Sequence, residues 1–224
     1  GRGSRSRPPD PPNVRLSKAL SMVLRHGALD AGLGDCLSPD GFVPLARLLA
    51  LPRFARVSEA DVRAVVAACP KRRFELREDG EDGTPRVRAT QGHTIRGPLE
   101  DDAMLARLDE RSGIREAVHG TSRAAWARIR VEGLSRARRR HVHLARALPG
   151  SGDDVVSGAR ASAEVAVWVD VARGISEGIP FFTSANGVVL TPGEGETGTV
   201  PPRLFLRAHA LRTRDGGEGE ALEL

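Results

Sequence analysis

The hydrophobic period of this chain changes once along its length, near Gly97. Before that point apolar residues recur at helical spacing: Leu16, Leu20, Val23 and Leu24 in "RLSKALSMVLRHG", then Leu45, Leu48 and Leu49 in "DGFVPLARLLAL", then Val62, Val65, Val66 and Cys69 in "SEADVRAVVAACP". After it, alternation takes over. In "AEVAVWVDV", Val165, Val167, Val169 and Val171 fall on one strand face, with Ala166 and Trp168 on the other. The pattern predicts an α+β protein in two lobes. No repeat spans the lobes and βαβ alternation is absent, so the second sheet is expected to be mixed or antiparallel.

Local signals divide the chain further. Gly27 can stop the first helix, Ser58 and Asp61 form a capping box, and Pro70 ends the third helix. "RFEL" and "RVRAT" flank the turn formers of "REDGEDGTP", which predicts a hairpin. Three helices followed by a hairpin outline a winged-helix-like lobe over residues 14–97, preceded by a disordered tail at 1–13. Residues 98–111 look like a polar helical connector, 112–212 the second lobe and 213–224 a tail. Within the second lobe "AVHGT" runs into a helix capped by Thr121 or Ser122 that buries Trp126 and Ile129 and stops at Gly133. "HVHL" is a short strand, Asn186-Gly187 marks a hairpin, and "RLFLRA" closes the sheet.

A formal charge of +5 and a pI near 10.4 suit a polyanionic partner. Of the 34 basic residues only Lys18 and Lys71 are lysines, a skew that points to coding bias, so placement must carry any functional assignment. No apolar run reaches the roughly 20 residues of a membrane span, and "GRGSRSRPPDPPN" lacks the apolar core of a signal peptide. A cytoplasmic or nuclear monomer without a membrane partner is expected. Cys36 and Cys69 lack metal-ligand spacing and are expected to be reduced thiols of the core.

The chain has no Walker loop, no GxSxG elbow and no HExxH. Four clusters carry its polar chemistry: "LRHG" (24–27), "RVRATQGH" (86–93), "HGT" (119–121) and "RRRHVHLA" (138–145). If a strand begins near Arg138, then Arg139, His141 and His143 share one face while Val142 and Leu144 enter the core. Alternation leaves that face open between a solvent-exposed edge, a zinc-chelating histidine pair and a substrate-binding surface. Taken singly, an Arg-His at a helix end also serves the helix dipole, and Gln-Gly-His is ordinary loop chemistry.

Taken in order, these motifs resemble the RNA 2′-phosphotransferase family, and its eukaryotic branch most. The resemblance runs from about Leu16 to Ala208 through "LSKALSMVLRHG", "DGFVPLARLL", "KRRFEL", "VRATQGHT", "VHGTS", "GLSRARRRHVHLA", "SGARASAEVAVWVDV" and "GIPFFTSANGVVLTPG". It implies a winged-helix-like lobe that receives RNA and an ADP-ribosyltransferase-like lobe that binds NAD. The family's essential quartet falls on Arg25, His26, Arg88 and Arg139, and its NAD-binding motifs on His119, Gly120 and Thr121 and on Ser157, Gly158 and Arg160. His143 is assigned to the NAD pocket in preference to His141, and Arg138 and Arg140 are bystanders. No metal is implied.

The implied reaction has two steps. The RNA 2′-phosphate attacks C1″ of the nicotinamide riboside and expels nicotinamide. Ribose O2″ then attacks that phosphate, releasing 2′-hydroxyl RNA and ADP-ribose 1″,2″-cyclic phosphate. Arginine suits both, because guanidinium stays protonated and donates parallel hydrogen bonds to phosphate oxygens, each worth about 1.5–3 kcal/mol. His26 is the candidate general acid. Three positions in these motifs depart from the family's usual residues, Val118 for tyrosine, Ala145 for serine and Thr94 for serine; beyond them Arg203-Leu204 replaces a more usual Lys-Tyr and the segment from Thr191 to Phe205 is longer than typical. The rival classes are an ADP-ribosyltransferase that caps terminal phosphates of nucleic acid or modifies protein, and a non-catalytic winged-helix RNA binder.

Overall fold

The computed structural model describes residues 10–78, 83–148, 162–211 and 218–224. The first helix, α1 (Pro12–Met22), begins inside the stretch expected to be tail. Proline at the first helical position costs nothing, because the N–H it lacks has no intrahelical partner there. Gly27 does not end this helix as a simple stop. Its last turn widens into a π-helical segment, Val23–Gly27, with Val23 and Leu24 buried, and the backbone remains helical at Ala28.

Strand β1 (Val43–Pro44) leads into α2 (Leu45–Leu49), and α3 (Glu59–Ala67) carries the expected reciprocal cap between Ser58 and Asp61. The hairpin forms from β2 (Phe74–Arg77) and β3 (Arg86–Ala89), antiparallel with Leu76 opposite Val87. β1 pairs with the other edge of β3, making a three-stranded sheet of order β1-β3-β2.

The connector is not the continuous helix expected. It consists of α4 (Asp101–Met104), β4 (Ala106–Arg107) and a 3-10 turn at Glu110–Ser112. Leu99, Met104 and Leu105 pack into the core of the first half, whereas Leu108 enters that of the second. A chain that must serve two cores within ten residues cannot keep one apolar stripe, so the helix stops after one turn.

In the second half β5 (Glu116–Thr121) is followed by α5 (Arg123–Glu132), capped by Ser122 and ended by Gly133 at φ 90°. β6 (Leu134–Ser135), β7 (Val142–Leu144) and β8 (Val165–Asp170) come next, and Val171 opens α6 (Val171–Ser176) instead of extending the strand. The remaining strands are β9 (Phe182–Thr183), β10 (Val189–Thr191), β11 (Thr199–Val200), β12 (Phe205–Leu211) and β13 (Glu218–Leu222).

Two antiparallel four-stranded sheets result, of order β13-β12-β8-β5 and β4-β9-β10-β7, with β6 and β11 as a separate pair. Val165, Val167 and Val169 enter the main core while Ala166 and Trp168 pack on the far face with Val118 and Ala145, as alternation predicts. β12 is an interior strand, and part of the expected C-terminal tail is the edge strand β13. Its sequence, "EGEAL", has no alternating apolar face by which it could be recognised.

The Asn186-Gly187 hairpin joins β9 to β10 through residues 184–188. Gly187 supplies φ 81°. Asn186, however, is fully buried and sends its amide to the carbonyl of Lys71 at 2.9 Å, tying the two halves together. Phe182, Val188 and Leu190 also pack into the core of the first half.

Candidate active site

The π turn places Arg25 and His26 against the loop that follows β3. The N–H of Thr94 donates to the Arg25 carbonyl at 2.9 Å, and the Thr94 hydroxyl lies 2.9 Å from His26 Nδ1. Gly92 covers the Arg25 side chain: a Cβ there would sit 3.4 Å from Arg25 Cζ on a backbone with φ 90°. Only glycine adopts that conformation cheaply.

Arg25 is the centre of the arrangement. Its Nε and Nη2 are shut off from solvent and have no hydrogen-bond partner among the described residues. Burial, followed by the neighbouring Arg73 and Arg139 guanidiniums, brings its pKa down to about 10, so it remains a cation. His26 is held below the usual histidine value by burial and by Arg25 and Arg139. An enclosed cation with unmet donors and further cations beside it is a site for an anion.

Arg139 reaches this cluster from the second half, but not from the strand face expected. β7 starts only at Val142, and residues 136–141 form a turn in which the Arg139 N–H donates to the Arg136 carbonyl at 3.1 Å. Ala137 in that turn has φ 53°, which breaks the strand geometry that would have aligned Arg139 with the histidines. His141 is buried, its Nε2 3.0 Å from Asp101 Oδ2 and its ring edge-on to Phe182. His143 Nδ1 donates to the His141 carbonyl at 3.0 Å, and its Nε2 is enclosed. Burial, Arg139 and His141 push its pKa to about 3. His93 is likewise buried and lowered to about 3 by burial, Arg25 and Arg140.

His119 Nδ1 donates to the His143 carbonyl at 2.9 Å, joining β5 to β7. Arg88 is more constrained. Its Nε donates to Glu75 at 2.9 Å and its Nη1 to the Asp40 carbonyl at 2.8 Å, with the guanidinium over the Phe42 ring. Among the described residues no group of three His, Cys, Asp or Glu side chains is set to hold a metal ion.

A family model described as RNA 2′-phosphotransferase, Tpt1/KptA family, matches residues 11–193. A zebrafish (Danio rerio) protein named tRNA 2′-phosphotransferase 1 is 45% identical over 214 residues, covering 95% of this chain and 91% of its own length. The human protein of that name is 43% identical, covering 89% and 77%. A Rhizobium rhizogenes protein named probable RNA 2′-phosphotransferase is 36% identical, covering 80% and 88%. This chain belongs to the RNA 2′-phosphotransferase family. It is therefore a transferase, and the vertebrate similarity accords with the eukaryotic-like motifs.

Of the family's quartet, Arg25, His26 and Arg139 lie close enough to act on one another through their charges, whereas Arg88 is bonded to Glu75 and the Asp40 carbonyl and its charge acts on His93. His119 bonds the His143 carbonyl and His143 feels the charges of Arg139 and Arg25, Gly120 and Thr121 pair with Ala166 and Val165 of β8, and Ser157, Gly158 and Arg160 lie outside the described residues. Two of the three departures from the family pattern face each other. Val118 and Ala145 exchange both backbone hydrogen bonds, at 2.8 and 2.7 Å, and both side chains are buried beside Ala166 and Trp168. The third, Thr94, supplies the hydroxyl beside His26. Motif reading missed Arg73 and Asp101. Arg73 sits in the run "KRRFEL", where nothing separates it from its two basic neighbours, and Asp101 reads as an ordinary acid at a helix start. Arg140, one of the two arginines that the resemblance leaves without a role, bonds Asp101 at 2.7 Å.

Proposed function

We propose that this chain removes an internal 2′-phosphate from RNA, such as spliced tRNA, by transferring it to NAD. The products are 2′-hydroxyl RNA, nicotinamide and ADP-ribose 1″,2″-cyclic phosphate. One observation carries the reading: the part-buried guanidinium of Arg25, with Nε and Nη2 unmet among the described residues and the charges of Arg73 and Arg139 nearby. A phosphate monoester dianion matches that setting in charge and in hydrogen-bonding geometry.

Arg25 and Arg139 hold the phosphate from the two halves of the molecule. Arg88 completes the set; its contacts to Glu75 and Asp40 fix the guanidinium plane while using only part of its five-donor fork. Partial desolvation and the charges of Arg25 and Arg139 disfavour the protonated form of His26, and a bound dianion would offset that field. This suits it to protonate the departing RNA oxygen in the second step.

NAD supplies the electrophilic C1″ carbon and nicotinamide as its leaving group. We assign His119, Gly120, Thr121 and His143 to this ligand, and the unmet Nε2 of neutral His143 supports the reading as an acceptor for a hydroxyl or amide group. Ser157, Gly158 and Arg160 are assigned to NAD by motif alone. The three-stranded sheet with its helices is read as the winged-helix-like RNA lobe, and the paired four-stranded sheets as the ADP-ribosyltransferase-like lobe.

The test is incubation with NAD and an oligoribonucleotide bearing one internal 2′-phosphate. Nicotinamide release that requires the 2′-phosphate, together with the cyclic phosphate product, is expected. A stable ADP-ribosylated oligonucleotide accumulating as the end product would instead make the chain a terminal or capping ADP-ribosyltransferase.

A further inference from the structure

The turn that carries Arg139 is anchored on both sides. On its N-terminal side the Arg136 guanidinium reaches the Arg140 and Glu196 carbonyls and packs against Gly198, where any Cβ would collide with it. On its C-terminal side Arg140 donates through Nε and Nη2 to Asp101 Oδ1 at 3.1 and 2.7 Å, and His141 Nε2 faces Asp101 Oδ2 at 3.0 Å. The Arg140 backbone N–H completes the junction by donating to the His93 carbonyl at 3.0 Å. His93 belongs to the loop that packs Gly92 onto Arg25. A single carboxylate on α4 thus bridges two side chains of the second half, and the chain between them touches the loop that holds Arg25.

We infer that Asp101 is a positioning residue for the reaction: its carboxylate, shared by Arg140 and His141, fixes the 136–141 turn so that Arg139 meets the phosphate held by Arg25. Asp101 touches neither substrate in this account. The bridge is partly buried, with the two side chains of the Arg140 and Asp101 pair 20% and 23% exposed, so it is less screened than a surface ion pair. Burial opposes charge on Asp101, but the bonds from His141 and Arg140 outweigh it and bring the carboxyl to about 2, leaving it ionised at any working pH. Arginine 139 has a long, rotamer-rich side chain, and ordering its backbone in advance lowers the entropy lost when phosphate is bound.

The inference rests on the assignment of Arg139 to the phosphate, and a double-mutant cycle separates the two. Binding of a dinucleotide with an internal 2′-phosphate is measured by calorimetry for the wild-type chain, Asp101→Ala, Arg139→Ala and the double variant, with thermal unfolding as a check on folding. Asp101→Ala is expected to weaken binding about tenfold in the wild-type background and less than twofold once Arg139 is gone, and Asp101→Glu to recover most of the loss. An equal loss in both backgrounds, or none in either, overturns the inference. If Arg139→Ala itself binds as tightly as wild type, the phosphate assignment fails instead. Should Asp101→Ala not fold, Arg140→Gln removes one arm of the bridge and supports the same cycle.

Discussion

Arg25 combines two properties that lysine cannot reproduce together: a planar fork of donors, and a charge that survives burial beside Arg73 and Arg139. Arg25→Lys is expected to keep the fold and lose at least about thirty-fold in turnover, the equivalent of one charged hydrogen bond of about 2 kcal/mol. Steady-state kinetics with thermal unfolding checks it. His93 and His143 set a second expectation. Each is held near 3 in the folded chain against about 6.5 when unfolded, so the unfolded chain binds more protons across that window. Stability is therefore present above about pH 6.5 and lost as pH falls toward 3, by up to about 1.4 kcal/mol per pH unit for each ring. Denaturant unfolding between pH 7 and 4 measures the slope, and His143→Asn should flatten it. The identity of these residues was legible from ordered motifs, but their environment was not. Nothing in "RRRHVHLA" signals that Ala137 takes a positive φ and turns Arg139 out of the strand.

The elements that could be read in advance are those whose cause is local. The Ser58 and Asp61 cap, the hairpin of β2 and β3, and the alternating faces of β8 each follow from residues within a few positions of one another. The failures have distant causes. The connector breaks because Leu105 and Leu108 serve different cores, and β13 exists because β12 offers it an edge. The π turn at Val23–Gly27 belongs with these: the helical period and Gly27 predict only a plain helix end there, and the turn is what sets Arg25 and His26 against the Gly92 loop. Gly92→Ala places a Cβ on a left-handed backbone 3.4 Å from Arg25 Cζ. It is expected to cost about 1–2 kcal/mol of stability and to depress turnover further than stability alone explains, read from unfolding curves beside activity.

For the molecule as a whole, the site is a joint product of both halves. Phe182, Val188 and Leu190 pack into the first core, and Asn186 bonds the Lys71 carbonyl, so the cluster of Arg25 and Arg139 sits at a shared junction. The change of period near Gly97 made two lobes legible, whereas the packing between them depends on side chains more than a hundred positions apart. Asn186→Ala should remove about 0.5–1.5 kcal/mol, because it deletes the amide bonded to the Lys71 carbonyl and leaves the buried Ser184 hydroxyl one acceptor short. Thermal unfolding is expected to stay a single transition, shifted downward. Whether Arg25 and Arg139 together pass the RNA phosphate to NAD can be read by following a radiolabelled internal 2′-phosphate. With NAD and the wild-type chain the label should move from RNA into ADP-ribose cyclic phosphate, and with Arg139→Ala it should stay on the RNA. Label released as inorganic phosphate, or transferred equally well without Arg139, would contradict the account.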